Sequence, residues 1–250
     1  MASGIALRLF RSGLEIVMSD LARPTSIRRS VCFSEAVIKG SWRVEDVYAV
    51  FASEMSNALE ILSGGKIPVL ADDAGELLSA YPFDAVVDAR IAKRNLDTKL
   101  SDAAIVIGVG PGFTAGIDCG AVIETQRGHY LGRAIYAGVA AENTGIPGSI
   151  GGYTVERLLR APAAGEFLAL RDIGDSANVG DTVAMVGGTL VTAQIGGILR
   201  GILPSGSLVH VGMKCGDIDP RCERAHCFCA SDKALAVGGG VLEALLHFGF

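Results

Sequence analysis

The chain has 250 residues, enough for one large domain or two small ones around a well-buried core. Half of its residues are apolar and 33 are glycine, which points to many tight turns and close backbone approaches rather than disorder. The net charge of −5 comes with no basic stripe, and no apolar run reaches the roughly 20 residues that span a bilayer, so neither nucleic acid nor membrane is an expected partner. The amino terminus lacks the charged start and apolar stretch of a signal peptide, so a cytoplasmic address is expected and the six cysteines read as free thiols.

Residues 3–12 have helical spacing, with Ile5, Ala6 and Leu9 on one side and Arg8 and Arg11 on another. Gly13 ends that helix, and residues 14–20 read as a buried strand with Asp20 at its carboxyl end. Further strands are expected at 47–51, 67–70, 85–88 and 104–109, with helices at 55–62 and 74–80. Such alternation implies a parallel sheet covered by helices. A dinucleotide fold would open with a strand and a glycine turn before its first helix, and carry an acidic residue about 20 positions later. Here the chain begins inside that helix, at Ser3 and Gly4, while Asp20 stands where the acidic residue belongs. A missing strand would leave buried main-chain groups unpaired at about 1–3 kcal/mol each, so a start further upstream is expected. The alternative is that another strand or chain covers the gap.

Lys93-Arg94-Asn95 follows the strand ending at Asp88, on the side of a parallel sheet where ligands bind. Two cations and an amide suit a phosphate; a solvated basic loop is the alternative. Residues 105–116 run from a buried strand into a loop holding Gly108, Gly110 and Gly112, whose backbone N–H groups can face an anion. The segment after it, from Cys119 to Thr125, is strand-like, so no helix end is on offer, and the absence of a following Lys-Ser/Thr excludes a P-loop. Glu124, Arg127 and His129 form a second cluster, with Arg127 as a ligand contact and His129 as an acid or base whose tautomer Glu124 would set. Ordinary surface and turn roles compete with that reading. Cys119, beside Asp118 at the mouth of the glycine loop, is a weaker catalytic candidate.

Residues 161–218 repeat themselves at an interval of 32: Gly165 answers to Gly197, Gly174 to Gly206, Val179 to Val211 and Gly180 to Gly212. Leu170, Val183 and Val186 have apolar counterparts in Ile202, Cys215 and Ile218. One small β unit is therefore used twice around a shared core. The pattern resembles the barrel-sandwich hybrid of biotinyl and lipoyl carriers, whose joining hairpin presents an acylated lysine. Here that segment, residues 185–190, has no lysine, and Lys214 lies near the end of the second half. No covalent biotin or lipoate is expected, and the module reads as a scaffold or docking surface. Beyond it, in the cluster of Cys222, Cys227 and Cys229, the last two sit only two apart around Phe228 where zinc pairs favour two- to four-residue spacers, so buried thiols are preferred to a metal site. On a strand, Cys227 and Cys229 would share a face, with His226 opposite. A final helix is expected over 235–248, carrying Leu242, Leu245 and Leu246 and packing back on the amino-terminal half.

Several long runs, residues 3–13, 23–37, 88–96, 106–133, 143–165, 216–221 and 231–246, together make the chain resemble the YqeB family over essentially its whole length. That resemblance implies an accessory factor of the selenium-dependent molybdenum hydroxylase system, serving enzymes similar to xanthine dehydrogenase. It implies as partners a molybdenum hydroxylase client and its maturation factors, with self-association left open. Family members open with a strand and a glycine turn of which only Ala2-Ser3-Gly4 remains here, and Cys222 and Cys229 depart from the pattern.

The expected architecture is α/β. A Rossmann-like parallel sheet over 1–158, its first strand absent, is followed by a barrel-sandwich-hybrid module over 159–219 and a carboxyl-terminal segment and helix over 220–250. The expected ligand is a molybdopterin-type cofactor or a nucleotide, held by Ser3, Gly4, Asp20, Lys93, Arg94, Asn95, Gly108, Gly110, Gly112 and Arg127. An oxidoreductase using NAD(P) is the second reading, motivated by the amino-terminal alternation and Asp20.

Overall fold

The computed structural model describes residues 1–250. In chain order the elements begin with α1 (Ala2–Arg11), β1 (Met18–Asp20), α2 (Glu35–Lys39), β2 (Ser41–Val44), β3 (Val47–Ala52), α3 (Met55–Ser63), β4 (Ile67–Ala71) and α4 (Leu77–Ala80). There follow β5 (Ala85–Asp88), β6 (Ile105–Val109), β7 (Thr114–Ala115), β8 (Ala121–Ile123), β9 (Ala134–Ile135), β10 (Gly138–Val139) and β11 (Leu158–Arg160). The last group is β12 (Gly165–Ala169), β13 (Ser176–Ala177), β14 (Thr182–Val186), β15 (Thr189–Thr192), β16 (Gly197–Ile202), β17 (Leu208–Val209), β18 (Lys214–Asp219) and α5 (Asp232–His247). The chain divides into two compact units, one of Met1–Ser19, Ala52–Gly145 and Ala230–Phe250, the other of Asp20–Phe51 and Ile146–Cys229.

The first unit is built on a sheet ordered β5-β6-β8-β9. β5, β6 and β8 run parallel although no helix separates them along the chain, and β9 returns antiparallel on β8. Helix α5 covers this sheet because Val237, Val241, Ala244 and Leu245 fall on one face at helical spacing and join Ile107, Val109, Ala121 and Ile123 in a common core. Leu246 lies on the other face and is exposed. Ser231 caps α5 by accepting from the Ala234 N–H at 3.2 Å. α1 packs on α5 at a crossing that only small residues permit. A Cβ on Gly4 would stand 2.5 Å from the Ala234 Cβ, and one on Gly238 would stand 2.9 Å from the Arg8 Cβ.

Two amino-terminal expectations change. Residues 14–17 are not strand, because α1 ends in a Schellman turn: Gly13, at φ +88°, donates its N–H to Phe10 O and Leu14 donates to Leu9 O. The amide of Leu14 is thereby spent on the helix and cannot enter a ladder. Helix α4 starts at Leu77 rather than at 74, because the Asp72 carboxylate accepts from the N–H groups of Glu76 and Leu77 at 2.8 and 3.0 Å, and Gly75 is left-handed at φ +72°.

The second unit contains the β2–β3 hairpin and two four-stranded antiparallel sheets, β11-β18-β16-β13 and β15-β14-β12-β17. The 32-residue repeat is written into their hydrogen bonds. Gly212 N donates to Ala161 O, and Gly180 N to Ala193 O; Gly206 N donates to Phe167 O, and Gly174 N to Leu199 O. In each pair, adding or subtracting the repeat converts one bond into the other, with donor and acceptor exchanging halves, which is what an internal two-fold requires. The glycines agree: Gly174 and Gly206 sit at φ +100° and +87°, and Gly180 and Gly212 at +85° and +77°. Phe167, Val183, Val186, Leu199, Cys215 and Ile218 from both halves fill one core. Gly187 and Gly188, both left-handed, make the two-residue turn between β14 and β15.

Candidate functional site

The carboxyl ends of the three parallel strands converge, with Asp88 beside Gly108 in register, and Gly108 and Val109 beside Val122 and Ile123. Ligands favour this end of a parallel sheet. Asp88 is buried, and its carboxylate accepts from the Arg90 N–H at 3.0 Å, the Arg90 guanidinium at 2.6 Å and the Thr98 hydroxyl at 2.7 Å. Burial opposes its charge, but Arg90 and Thr98 outweigh it and hold the carboxyl below the usual range. Arg90 reaches on to Asp97 at 2.5 Å. The loop between β5 and residue 98 is thus clasped at both ends.

Within that clasp, Ile91 and Lys93 take left-handed backbone, at φ +57° and +64°. For non-glycine residues this costs about 1–3 kcal/mol each and is concentrated at functional sites. The strained turn leaves Lys93 and Arg94 exposed. Asn95 does not join them. Its side-chain amide donates to Thr98 O at 2.8 Å and to Asp118 at 3.1 Å, and its main-chain N–H donates to Gly112 O. With its side-chain amide turned to satisfy its neighbours, Asn143 accepts from Lys93 Nζ at 3.3 Å, so the cation is positioned from a second segment.

The glycines of the loop after β6 serve the chain's own packing. A Cβ on Gly108 would stand 2.5 Å from the Phe113 ring, and one on Gly112 would stand 2.5 Å from the Arg94 backbone nitrogen. Gly110 turns left-handed at φ +87° and donates its N–H to Ile123 O at 2.9 Å, so that group is not open to an anion. What Gly112 provides is close approach of the Arg94 main chain. The glycine loop thereby seats the cationic loop instead of cradling a phosphate itself.

Glu124 and His129 do not form the dyad that their spacing suggested. Glu124 is buried, and its two carboxylate oxygens accept from the N–H groups of Gln126 and Ala141 at 2.7 and 2.8 Å. His129 is exposed, edge-on to the Tyr130 ring. Arg127 makes a two-pronged pair with Asp232 in the first turn of α5, at 2.7 and 3.0 Å. Cys119 is fully buried, and burial pushes its thiol above the ordinary range, which makes it a poor nucleophile. Ser3 and Gly4 are buried in α1, and Gly4 is occupied by the α5 crossing. Asp20 stands at the end of β1, where burial raises its carboxyl and the Leu21 amide partly offsets that.

Cys227 ends a 3-10 turn, Arg224–Cys227, so Cys227 and Cys229 do not share a strand face. The Cys227 thiol is buried and points to Leu199 O, while Cys229 and the exposed Cys222 lie against Ala225 O and Pro220 O. Sequence reading missed the clasp on Asp88; an acid at a strand end with Arg two places later and Thr ten places later was the available signal.

No family model matches the chain. It is 48% identical over 245 residues to the uncharacterized protein YqeB of Escherichia coli (strain K12), covering 98% of this chain and 45% of that protein. Among solved structures, an aspartoacylase family protein of Mesorhizobium loti aligns at 20% identity over 25% of this chain and 22% of its own, with a TM-score of 0.24. The ectoine utilization protein EutE of Ruegeria pomeroyi aligns at 16% identity over 34% of this chain and 27% of its own, with a TM-score of 0.25. Likenesses that low carry no argument about fold or function. The sequence relative is different in kind, since the match runs through the segments on which the resemblance was read: the chain is similar to YqeB over nearly its whole length and spans a little under half the length of that relative.

Proposed function

We propose that this chain is an accessory or maturation protein for selenium-dependent molybdenum hydroxylases similar to xanthine dehydrogenase. Its first unit would hold a phosphate-bearing cofactor, a molybdopterin-type group or a nucleotide, at the carboxyl ends of β5, β6 and β8. The observation that carries the reading is the pair Lys93 and Arg94, held exposed by strained backbone at Ile91 and Lys93 against Gly112. The strained backbone seats Ile91 against the core and at the same time fixes where the two cations leave the chain, which lowers the ordering cost of binding an oxyanion.

The second unit supplies the docking surface, as a barrel-sandwich-hybrid module of the biotinyl and lipoyl type without the attachment lysine. In support, Leu168, Met185 and Leu190 lie directly across from one another on β12, β14 and β15, and both leucines are exposed. An apolar row of this kind suits a protein partner. Turnover is not required of the chain.

The test is calorimetric titration of the protein with a pterin phosphate and with nicotinamide dinucleotide, alongside co-purification with a molybdenum hydroxylase. The expected result is saturable binding of the phosphate ligand, weakened at least about tenfold by Lys93→Ala with Arg94→Ala, and client capture that depends on Leu168 and Leu190. Absence of both binding and capture would end the proposal, and hydride transfer from the dinucleotide would move it to an oxidoreductase.

A further inference from the structure

We propose that the second unit carries a separate anion site, a cluster of arginines on the outer face of the sheet β11-β18-β16-β13 that takes a phosphate group. It does not depend on the cationic loop at Lys93.

Strand β18 turns Ile218 inward to the core, so alternation sends Asp217 and Asp219 outward. Outward carboxylates on such a sheet are normally wet, yet both are only 1% exposed. What covers them is cationic. Arg28 donates to Asp217 through its guanidinium at 2.5 and 3.4 Å. Asp219 accepts from Arg200 at 3.0 Å and from the Arg221 side chain at 2.6 and 2.9 Å. Arg157 is also buried, and its donors go to the carbonyl oxygens of Tyr153 and Gly148 rather than to a carboxylate.

Four guanidiniums thus meet two carboxylates, before the half-buried Lys214 is counted. A network built only to neutralise itself would balance these charges; here the buried ones do, and the excess sits on Arg28 and Arg221 at the open side. The surplus is felt. Burial first, then the charge of Arg28, pushes Arg200 below the ordinary arginine range, while Asp219 pulls the other way.

Arg200 also has an unmet donor. Its side chain is 8% exposed, and its Nε is buried with no acceptor. Unsatisfied buried donors are rare and each asks for a partner. Its placement is a built feature: Leu199 pairs with Ile218 and Gly201 with Asp217, so Arg200 is the extra residue of a β-bulge. Bulges re-aim side chains and gather near sites. The following residue must be small, since a Cβ on Gly201 would stand 2.6 Å from Asp217 Oδ1 and 3.1 Å from Arg28 Cγ. Arg28 and Arg221 are 34% and 43% exposed and give the cluster its open side. A surplus of two permanent charges is matched by a dianion, and guanidinium forks fit phosphate oxygens, so the ligand class is a phosphate group, free or as a monoester.

The experiment is a thermal melt and phosphorus NMR titration of the whole chain with inorganic phosphate, ionic strength held constant with chloride. Saturable stabilisation is expected, with affinity reduced about tenfold or more by Arg28→Gln and by Arg200→Lys, which keeps the charge but loses the Nε donor. Should Arg28→Gln fail to fold, Arg200→Lys decides alone. Lys93→Ala with Arg94→Ala must leave this binding intact, so the two sites fail independently. A parallel titration with a phosphate monoester separates the sources: tighter binding assigns a phosphorylated ligand, and equal binding assigns the free anion. A melt that answers phosphate no more than chloride overturns the proposal. So does binding that survives both arginine substitutions.

Discussion

Asp217 and Asp219 make the second unit sensitive to acid. Burial opposes the charge on both, but Arg28 and Lys214 around Asp217, and Arg221 and Arg200 around Asp219, outweigh it and hold both carboxyls below their ordinary range. In the unfolded chain they titrate near 3.9 (about). A carboxyl depressed by folding contributes stability that is complete above its unfolded value and is lost as pH falls towards its folded value. The urea midpoint of the second unit should therefore be level from about pH 7 to 5 and fall below about 4. The only tryptophan, Trp42, lies in this unit and reports it by fluorescence. Asp219→Asn should flatten the fall, and an undiminished midpoint at about pH 3 would remove these pairs from the account. None of this was legible in the sequence. Arg28 and Asp217 are 189 positions apart, and outward polar residues on a strand read as solvated. The cations at Lys93 and Arg94 were legible because a strand end and a local run announce them, whereas Glu124 and His129 shared a run but not a contact.

Elements followed the sequence where periodicity and stop signals agreed. The stretches expected as α1, α3, β5 and β6 fall within a residue or so of their observed bounds. They moved where a side chain or a turn took over the main chain, as Asp72 does at α4 and Gly13 at α1. The run Gly238-Gly239-Gly240 was legible as unusual, but not what it was for. Two of its members face neighbours: Gly238 meets Arg8 and the main chain of α1, and Gly240 meets the Gly132 carbonyl. A Cβ on Gly239 would meet nothing outside its own helix turn within 4 Å. The three positions therefore separate packing from propensity. Gly239→Ala should stabilise the protein by about 0.5–1 kcal/mol, the ordinary gain of alanine in a helix. Gly238→Ala gains the same propensity but forces α1 and α5 apart, and should cost about 1–3 kcal/mol net. Urea unfolding of both variants checks the contrast; equal changes would mean that the crossing is not tight.

At the scale of the whole chain, each unit is assembled from separated stretches yet keeps a core of its own. The repeat that builds the second core was legible because glycines at left-handed turns recur at a fixed interval. The return of the last helix to the amino-terminal half was legible from its apolar face, whereas the grouping of residues 20–51 with residues 146–229 was not, since nothing local ties those stretches together. Helix α5 is the only late element of the first unit, and it brings Val237, Val241, Ala244 and Leu245 into that core. Burying a valine or leucine side chain is worth about 1.5–3 kcal/mol, so losing two valines and a leucine forfeits roughly 5–9 kcal/mol. That is comparable to the whole net stability of a typical domain, about 5–15 kcal/mol. Deleting residues 230–250 should therefore abolish the cooperative loss of helical circular dichroism that reports α1 and α3. The second unit keeps all of its strands in this truncation, so its Trp42 transition in urea should persist near the full-length midpoint. A truncated chain that retains the helical transition would show that α5 is dispensable to the parallel sheet, and loss of both transitions would mean that the two cores do not stand alone.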